Sequence, residues 1–205
     1  MTYLILAVTI IVSIIAMNNK ALFYKLQFNA YQVVHRKQWY RLLSHGLIHA
    51  GWWHLAINMF VLWSFGTAAE GMLIELSNQG IIKFPILVFT LLYVTALVVS
   101  SSISLVQHKD NHWYNAVGAS GAVSAILYFS IFFQPMSKIY LYGALGIPGI
   151  IFGVLYVVYS QYMARKGEDN IGHEAHLLGA VYGFVFPLFM GLELFMEYFW
   201  KGIFG

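Results

Sequence analysis

The sequence predicts an all-α membrane protein, a bundle of six transmembrane helices that forms a single domain over residues 1–205. Two observations support this fold class. Hydrophobic residues make up 60% of the 205-residue chain and charged residues only 9%, whereas a soluble domain contains about 25% charged residues. The apolar residues also fall into six long runs without the alternation of barrel strands, so helices are the remaining way to satisfy the backbone in lipid.

These six runs define the predicted spans, which are residues 2–17, 52–70, 84–106, 117–133, 139–163 and 174–197. The first run is somewhat short for a hydrocarbon core about 30 Å thick. It has no basic residues before it, and it is followed by Asn18, Asn19 and Lys20 instead of a small-residue cleavage site. We therefore interpret it as a retained transmembrane helix and not as a signal peptide.

The polar connections between the spans are unequal in length. The first, residues 18–51, is long and mixes Lys and Arg with Trp and Tyr, which favours a segment lying in the membrane interface. The others are short and leave no room for a second soluble domain. The chain has no cysteine, which excludes disulfides and thiol chemistry. Its net charge is only +3 and it has no basic run, so we expect no nucleic-acid partner.

Strongly polar residues lie near one end of three predicted spans. Such residues are costly inside a membrane and are usually functional. Spans two, four and six cross in the same direction, so their N-terminal ends lie on one side and at similar depth. His54, Asn58, Ser120 and His176 all fall close to these ends. We therefore expect the four side chains to meet in one layer.

This layer contains the groups that acyl transfer requires. A serine becomes a good nucleophile when a base takes its proton, and neutral histidine is the usual base at physiological pH. Ser120 and His176 could form this dyad. His54 and Asn58 are four residues apart on one helix face, where both could donate to a developing oxyanion together with the Ser120 backbone N–H.

Glycines flank the proposed nucleophile. Gly118 and Gly121 permit a tight turn around Ser120 and leave room for a substrate backbone. No acidic residue is obviously placed to orient the histidine, the candidates being Asp110, Asp169 and Glu174. The sequence therefore predicts a Ser–His dyad and not a triad.

Three motifs occur in order: H-x-x-x-N at 54–58, G-x-S-G at 118–121 and A-H-x-x-G-x-x-x-G at 175–183. With the W-Y-R at 39–41, they resemble the rhomboid family of intramembrane serine proteases over essentially the whole chain, in the six-helix form of the bacterial members. The resemblance implies that Ser120 is the nucleophile and His176 the general base. It implies that the oxyanion-hole side chains are His54 and Asn58, and that further structural residues are Trp39, Arg41, Glu70, Gly179 and Gly183.

For Glu70 and for the glycine pair Gly179 and Gly183, the resemblance also implies a place in the fold. The resemblance implies that Glu70 is a carboxylate ending the second span, and that Gly179 and Gly183 allow close contact between the fourth and sixth spans. The sequence departs from the family at Ser124, four residues after the nucleophile, where many members carry an aromatic ring packed against the base. What holds the His176 ring is therefore an open question.

The resemblance also implies a substrate, a location and an orientation. The substrates would be transmembrane segments of other proteins, no cofactor or metal would be needed, and the chain would be a multi-pass protein of the bacterial inner membrane. Its N-terminus would be cytoplasmic and the mouth of its active site outside. The odd-numbered connections, however, carry eight of the eleven Lys and Arg residues, and counting charges alone predicts the opposite orientation. We adopt the family orientation because the first connection is long and partly embedded.

Three alternatives remain. Small residues four apart, such as Gly118 with Ala122, are common in membrane helix packing without any chemistry. The chain could be a catalytically inactive rhomboid-like protein that binds membrane clients, although the intact dyad argues against this. A metal-dependent hydrolase or transporter could use pairs of histidines, namely His45 with His49 and His173 with His176. The H-E-A-H sequence, however, is one residue short of the H-E-x-x-H zinc motif.

Overall fold

The computed structural model describes residues 1–141, 144–166 and 172–205, and these are mostly helical. The helices are α1 (Thr2–Met17), α2 (Lys20–Leu26), α3 (Ala30–Arg36), α4 (Arg41–Ser44), α5 (Trp52–Asn78), α6 (Pro85–Ser100), α7 (Ser102–Gln107), α8 (Ser120–Phe133), α9 (Gly149–Lys166), α10 (His173–Val185) and α11 (Lys201–Phe204). Strands β1 (Lys138–Leu141) and β2 (Leu145–Pro148) form an antiparallel hairpin. Asp169 lies outside the described residues.

Helix α8 forms the centre of the molecule. Every residue of α8 after Ser120 is buried, with α5, α6 and α10 packed around it. Its 14 residues correspond to about 21 Å at 1.5 Å per residue, whereas the neighbouring α5 has 27 residues. Because α8 is enclosed by protein, its short length leaves no backbone group facing lipid.

Helices α8 and α10 pack with their backbones in close contact. A Cβ added at Gly179 would overlap the carbonyl oxygen of Gly121, and one added at Gly183 would overlap that of Ala125. Both pairs advance by four residues in the same direction, so the two helices run parallel. Small residues at this spacing are the usual means of close helix approach in membranes.

The outer helices have polar residues inside and apolar residues outside. In α1, Thr9 and Ser13 are fully buried, whereas Leu4 is 60% exposed and Ile11 57% exposed. Among the described residues, α5 and the segment Pro85–Gln107 are long and apolar enough to cross a membrane, and α1 and α8 are apolar but shorter. This arrangement fits a chain whose outer surface contacts lipid.

The long first connection is folded, and Arg41 holds it together. The Arg41 guanidinium is buried and donates from Nη1 to the carbonyls of Tyr24 (2.9 Å) and Gln27 (2.6 Å), and from Nε to Gln38 Oε1 (2.7 Å). Trp39 instead lies at the surface, 53% exposed. The charged side chain therefore fixes the path of α2 and α4, which precede the site.

The same connection also holds the loop that leads into α8. Phe28 and Ala116 exchange two backbone hydrogen bonds, at 2.9 and 3.1 Å. Asn29 caps α3 through its Oδ1 and donates from Nδ2 to the carbonyls of His112 (3.0 Å) and Tyr114 (3.1 Å). Two distant segments are thus joined just before the start of α8.

The prediction that residues 139–163 form one helix is wrong at its start. Residues 138–141 and 145–148 form the two strands of the β-hairpin, with Lys138 opposite Pro148 and Tyr140 opposite Gly146, and α9 begins only at Gly149. Proline restricts the residue before it to extended backbone, and Pro148 cannot donate within a helix. Hydropathy is the same for an apolar hairpin and an apolar helix, so the apolar run did not distinguish them.

The last predicted span, 174–197, is also not one continuous helix. Helix α10 ends at Val185 and is followed by a 3₁₀ turn, Phe186–Phe189, and later by a π-helical turn, Phe195–Trp200. Pro187 removes a backbone donor and disfavours continuation of the α-helix. The second predicted span, 52–70, is too short, because α5 continues to Asn78.

Candidate active site

The turn that precedes Ser120 is built from Gly118 and Ala119. Gly118 has a φ of +114°, a backbone conformation that residues other than glycine rarely adopt. Its N–H donates to the His45 carbonyl at 2.9 Å, and its own carbonyl accepts from His45 Nδ1 at 3.3 Å. Ala119 donates its N–H to His49 Nε2 at 3.3 Å. Two histidines of the first connection therefore hold the backbone just before the predicted nucleophile.

The hydrogen bonds of His49 assign its tautomer. Ser13 Oγ donates its only proton to the Leu47 carbonyl at 2.9 Å, so its contact with His49 Nδ1 at 3.0 Å has the histidine as donor. Nε2 then carries the lone pair that accepts the Ala119 N–H. Burial, with the nearby His54 and His45 as smaller causes, lowers the pKa of His49 to about 3. The ring is therefore neutral, as its acceptor role requires.

His45 is neutral for the same reason. Its side chain is buried, and this burial lowers the pKa of the imidazole below 6.5. The Gly118 carbonyl can only accept, so Nδ1 of His45 carries the proton. Both histidines thus support the turn as uncharged groups.

His54, in the first turn of α5, lies against this turn. A Cβ at Gly118 would stand 2.6 Å from His54 Cε1 and 2.8 Å from Nε2, so only glycine leaves room for the imidazole. The His54 and His49 ring centroids are 4.9 Å apart. The structure therefore places His54 within reach of the residues around Ser120.

Asn58 lies one turn further along α5 and is buried. Its Nδ2 donates to the carbonyl of His54 at 2.8 Å, so the amide is bonded within its own helix. One N–H of the amide remains for another acceptor.

Ser120 and His176 lie at the starts of adjacent parallel helices. Ser120 is the first residue of α8, and His176 lies one turn before Gly179 in α10. The carbonyl of Ala175 lies 3.3 Å from the position of a Cβ at Gly121. The first turns of α8 and α10 are therefore side by side.

With this geometry in hand, comparison with known proteins decides the family. The family model described as the rhomboid domain matches residues 36–193, a range that contains all the residues predicted for the site. The chain belongs to the rhomboid family. It is therefore an integral membrane protein, in agreement with its apolar helices.

Two curated rhomboid proteins are similar to this chain. The RHOMBOID-like protein 12, mitochondrial, of Arabidopsis thaliana is 26% identical over 154 residues, covering 68% of this chain and 43% of the relative. The rhomboid protease GluP of Bacillus subtilis (strain 168) is 29% identical over 145 residues, covering 71% of this chain and 25% of the relative. The chain thus spans less than half the length of either relative.

Sequence reasoning missed one side chain next to the candidate site. Tyr156 of α9 stacks on His176, with ring centroids 6.3 Å apart and an interplanar angle of 28°. Its hydroxyl is 2.8 Å from Ser124 Oγ, so an aromatic ring from another helix reaches the space beside Ser124. No spacing rule in the sequence relates a residue of α9 to one of α8 or α10.

Glu70 does not end its helix as expected. It lies inside α5, eight residues before Asn78, and its Oε1 accepts the Thr2 N–H of α1 at 2.9 Å. A carboxylate at the first turn of a helix satisfies a free N–H and complements the helix dipole. Glu70 therefore joins α5 to the start of α1.

The histidines proposed for a metal site are differently engaged. His49 uses both ring nitrogens, one toward Ser13 and one toward Ala119. His45 Nδ1 donates to Gly118. A metal ion would have to displace the hydrogen bonds that hold the turn before Ser120, so these residues act as structural supports.

Proposed function

We propose that this rhomboid protein is a serine endopeptidase that hydrolyses peptide bonds in or near transmembrane segments of other membrane proteins. The observation that carries the proposal is the turn before Ser120. His45 and His49 bind its backbone, His54 lies against Gly118, and α10 brings His176 to the adjacent helix start. Nucleophile, base and oxyanion donors come from three helices that converge at one end of the bundle.

The proposed reaction begins when Ser120 Oγ attacks the scissile carbonyl carbon and its proton passes to His176. The carbonyl oxygen becomes an oxyanion that accepts hydrogen bonds from the Ser120 N–H, His54 and Asn58. The N–H groups of Gly118 and Ala119 are already used, whereas the first N–H groups of α8 have no acceptor within the helix. The C–N bond then breaks as His176 protonates the leaving amine.

The second half of the reaction releases the product. His176 takes a proton from water, which attacks the acyl-enzyme ester, and as the tetrahedral intermediate collapses His176 returns this proton to Ser120 Oγ and a carboxylic acid is released. No metal or cofactor takes part. Water must reach the start of α8, so we propose that the polar layer opens to one aqueous side.

We also propose that the chain crosses the bilayer six times and that the membrane is the bacterial inner membrane. A substrate helix would approach from the lipid and unwind locally, because a peptide bond inside a helix is shielded by its hydrogen bonds. One curated relative is bacterial and the other is named as mitochondrial, so fractionation of cells that express the chain is the test of location.

Purified protein in detergent tests the function directly. We expect cleavage of a model transmembrane substrate that is insensitive to chelator, and labelling of the protein by a serine-reactive fluorophosphonate. Ser120→Ala should abolish both. Ser130→Ala is the matched control, because Ser130 is a buried serine on the same helix whose hydroxyl bonds the Ile126 carbonyl; it should keep both.

Two outcomes would contradict the proposal. Cleavage that survives Ser120→Ala or is lost with chelator would exclude the serine dyad. A wild-type protein that captures the substrate without cutting it or reacting with the fluorophosphonate would be an inactive client-binding rhomboid.

A further inference from the structure

We propose that Tyr156 is the positioning residue that holds the imidazole of His176, and that α9 therefore supplies a part of the active site. This inference rests on the proposed function, because it assigns His176 as the base. Within the described residues, two aromatic rings contact that of His176: Tyr156 at 6.3 Å and 28°, and His173 at 5.9 Å and 77° between ring planes.

The two neighbours act differently because they belong to different helices. His173 precedes His176 by three residues in α10 and moves with it. Tyr156 comes from α9, so its stacked ring restricts rotation of the imidazole relative to the rest of the site. A base held within a narrow range of angles transfers protons efficiently, and a misplacement of about 1 Å can cost on the order of 100-fold in rate.

Tyr156 is itself fixed to the nucleophile's helix. Its hydroxyl is 2.8 Å from Ser124 Oγ, and Ser124 lies one turn after Ser120 in α8 with only 4% of its surface exposed. The contacts therefore run from the helix of the nucleophile, through α9, to the base. A small hydroxyl residue at position 124 provides both the space and the partner for the tyrosine.

The contact between the Tyr156 and His176 rings can be broken without separating α8 from α10. Only Gly149, Gly153 and Ser160 are buried among the described residues of α9. An apolar pocket of about 210 Å³ lies between α9 and the other two helices, lined by side chains that include Tyr128 of α8 and Phe184 of α10. A further polar contact with α8 is the Tyr128 hydroxyl, which donates to the Gly153 carbonyl at 2.5 Å. The α8–α10 contact at Gly179 does not involve α9.

Four variants, assayed in the full chain, test the assignment. Tyr156→Leu removes the ring, and we expect kcat to fall at least about 10-fold with KM within about 2-fold. Tyr156→Phe keeps the ring, and Ser124→Ala removes the same hydrogen bond from the other side; both should retain kcat within about 3-fold. Tyr162→Leu makes the same exchange at an exposed position of α9 and should leave kcat unchanged.

A spectroscopic measurement separates this inference from the proposed function. In protein with ¹³C-labelled histidine, the His176 ring protons should shift in Tyr156→Leu and remain in place in Tyr162→Leu, whether or not the wild type cleaves substrate. An active wild type with unchanged kcat and unchanged His176 resonances in Tyr156→Leu would overturn the positioning role. A wild type without activity would overturn the proposed function, and the resonance shift would then still report the stacking.

Discussion

His49 accepts the backbone N–H of Ala119 at Nε2, one residue before the predicted nucleophile, at a distance of 3.3 Å. Through Nδ1 the same ring donates to Ser13 of α1. A neutral side chain from the first connection therefore joins the buried face of α1 to the turn that presents Ser120.

His49→Ala should both destabilise the protein and slow the labelling of Ser120 by a fluorophosphonate. The change leaves the buried Ala119 N–H without its acceptor and opens a cavity, and we expect a loss of about 2–4 kcal/mol in the free energy of unfolding. Thermal unfolding in detergent and the labelling rate are the measurements. The control is His35→Ala, whose exposed pair with Asp110 should contribute less than about 1 kcal/mol. Equal effects in the two variants would contradict the role of His49.

Acid should destabilise the protein well before its carboxylates titrate. The pKa of His49 is about 3 in the folded chain against 6.5 for an ordinary histidine, so the unfolded chain binds more protons between these values. The stability present above pH 6.5 is lost as the pH falls toward 3, by up to about 2 kcal/mol at pH 5. His45 acts in the same direction. Unfolding measured at pH 7.5 and pH 5 checks this, and His49→Leu should reduce the difference.

Gly179→Ala should separate α8 from α10 and abolish proteolysis. The added methyl group overlaps the Gly121 carbonyl, and backbone cannot move aside as a flexible side chain does, so we expect a destabilisation of about 1–3 kcal/mol or more. Gly71→Ala is the matched control, because a Cβ there has nothing within 4 Å. The residue is exposed and lies well away from both ends of α5. This substitution should stabilise the protein by about 0.5–1 kcal/mol. A Gly179→Ala protein with normal activity and stability would show that the helices are not in contact there.

Single cysteines can decide the orientation in the membrane, because the chain has none of its own. Arg36→Cys and Lys83→Cys place a thiol at exposed positions in the connections that precede and follow α5. We expect an impermeant maleimide to label intact cells at position 36 and inverted vesicles at position 83, as the family orientation requires. The opposite pattern would support the orientation that the charge count predicts.

The convergence of His54, Ser120 and His176 at one end of the bundle could be predicted from helix direction alone, because every second span runs the same way. The side chains that bind the turn before Ser120 could not be predicted in this way. His45 and His49 reach Gly118 and Ala119 across about 70 residues of sequence, and spacing along a helix says nothing about such contacts.

The misplaced start of α9 has a different cause. Average hydropathy separates apolar from polar segments, but the strands at 138–141 and 145–148 are as apolar in a hairpin as they would be in a helix, so Pro148 was the relevant signal. The role of Tyr156 could not be predicted from the sequence either. Its ring lies beside Ser124 and His176 only because α9 packs against α8 and α10 in a particular rotation.

Helix α8 is short, and every residue after Ser120 is buried, so the position of α8 is set by the protein around it and not by the lipid. Outer helices such as α5 adjust to bilayers of different thickness by tilting. A helix without lipid contacts has no hydrophobic mismatch to relieve. The depth of Ser120 is therefore set by the protein. In thin and thick membranes alike, Ser120 would face the same peptide bond of a substrate.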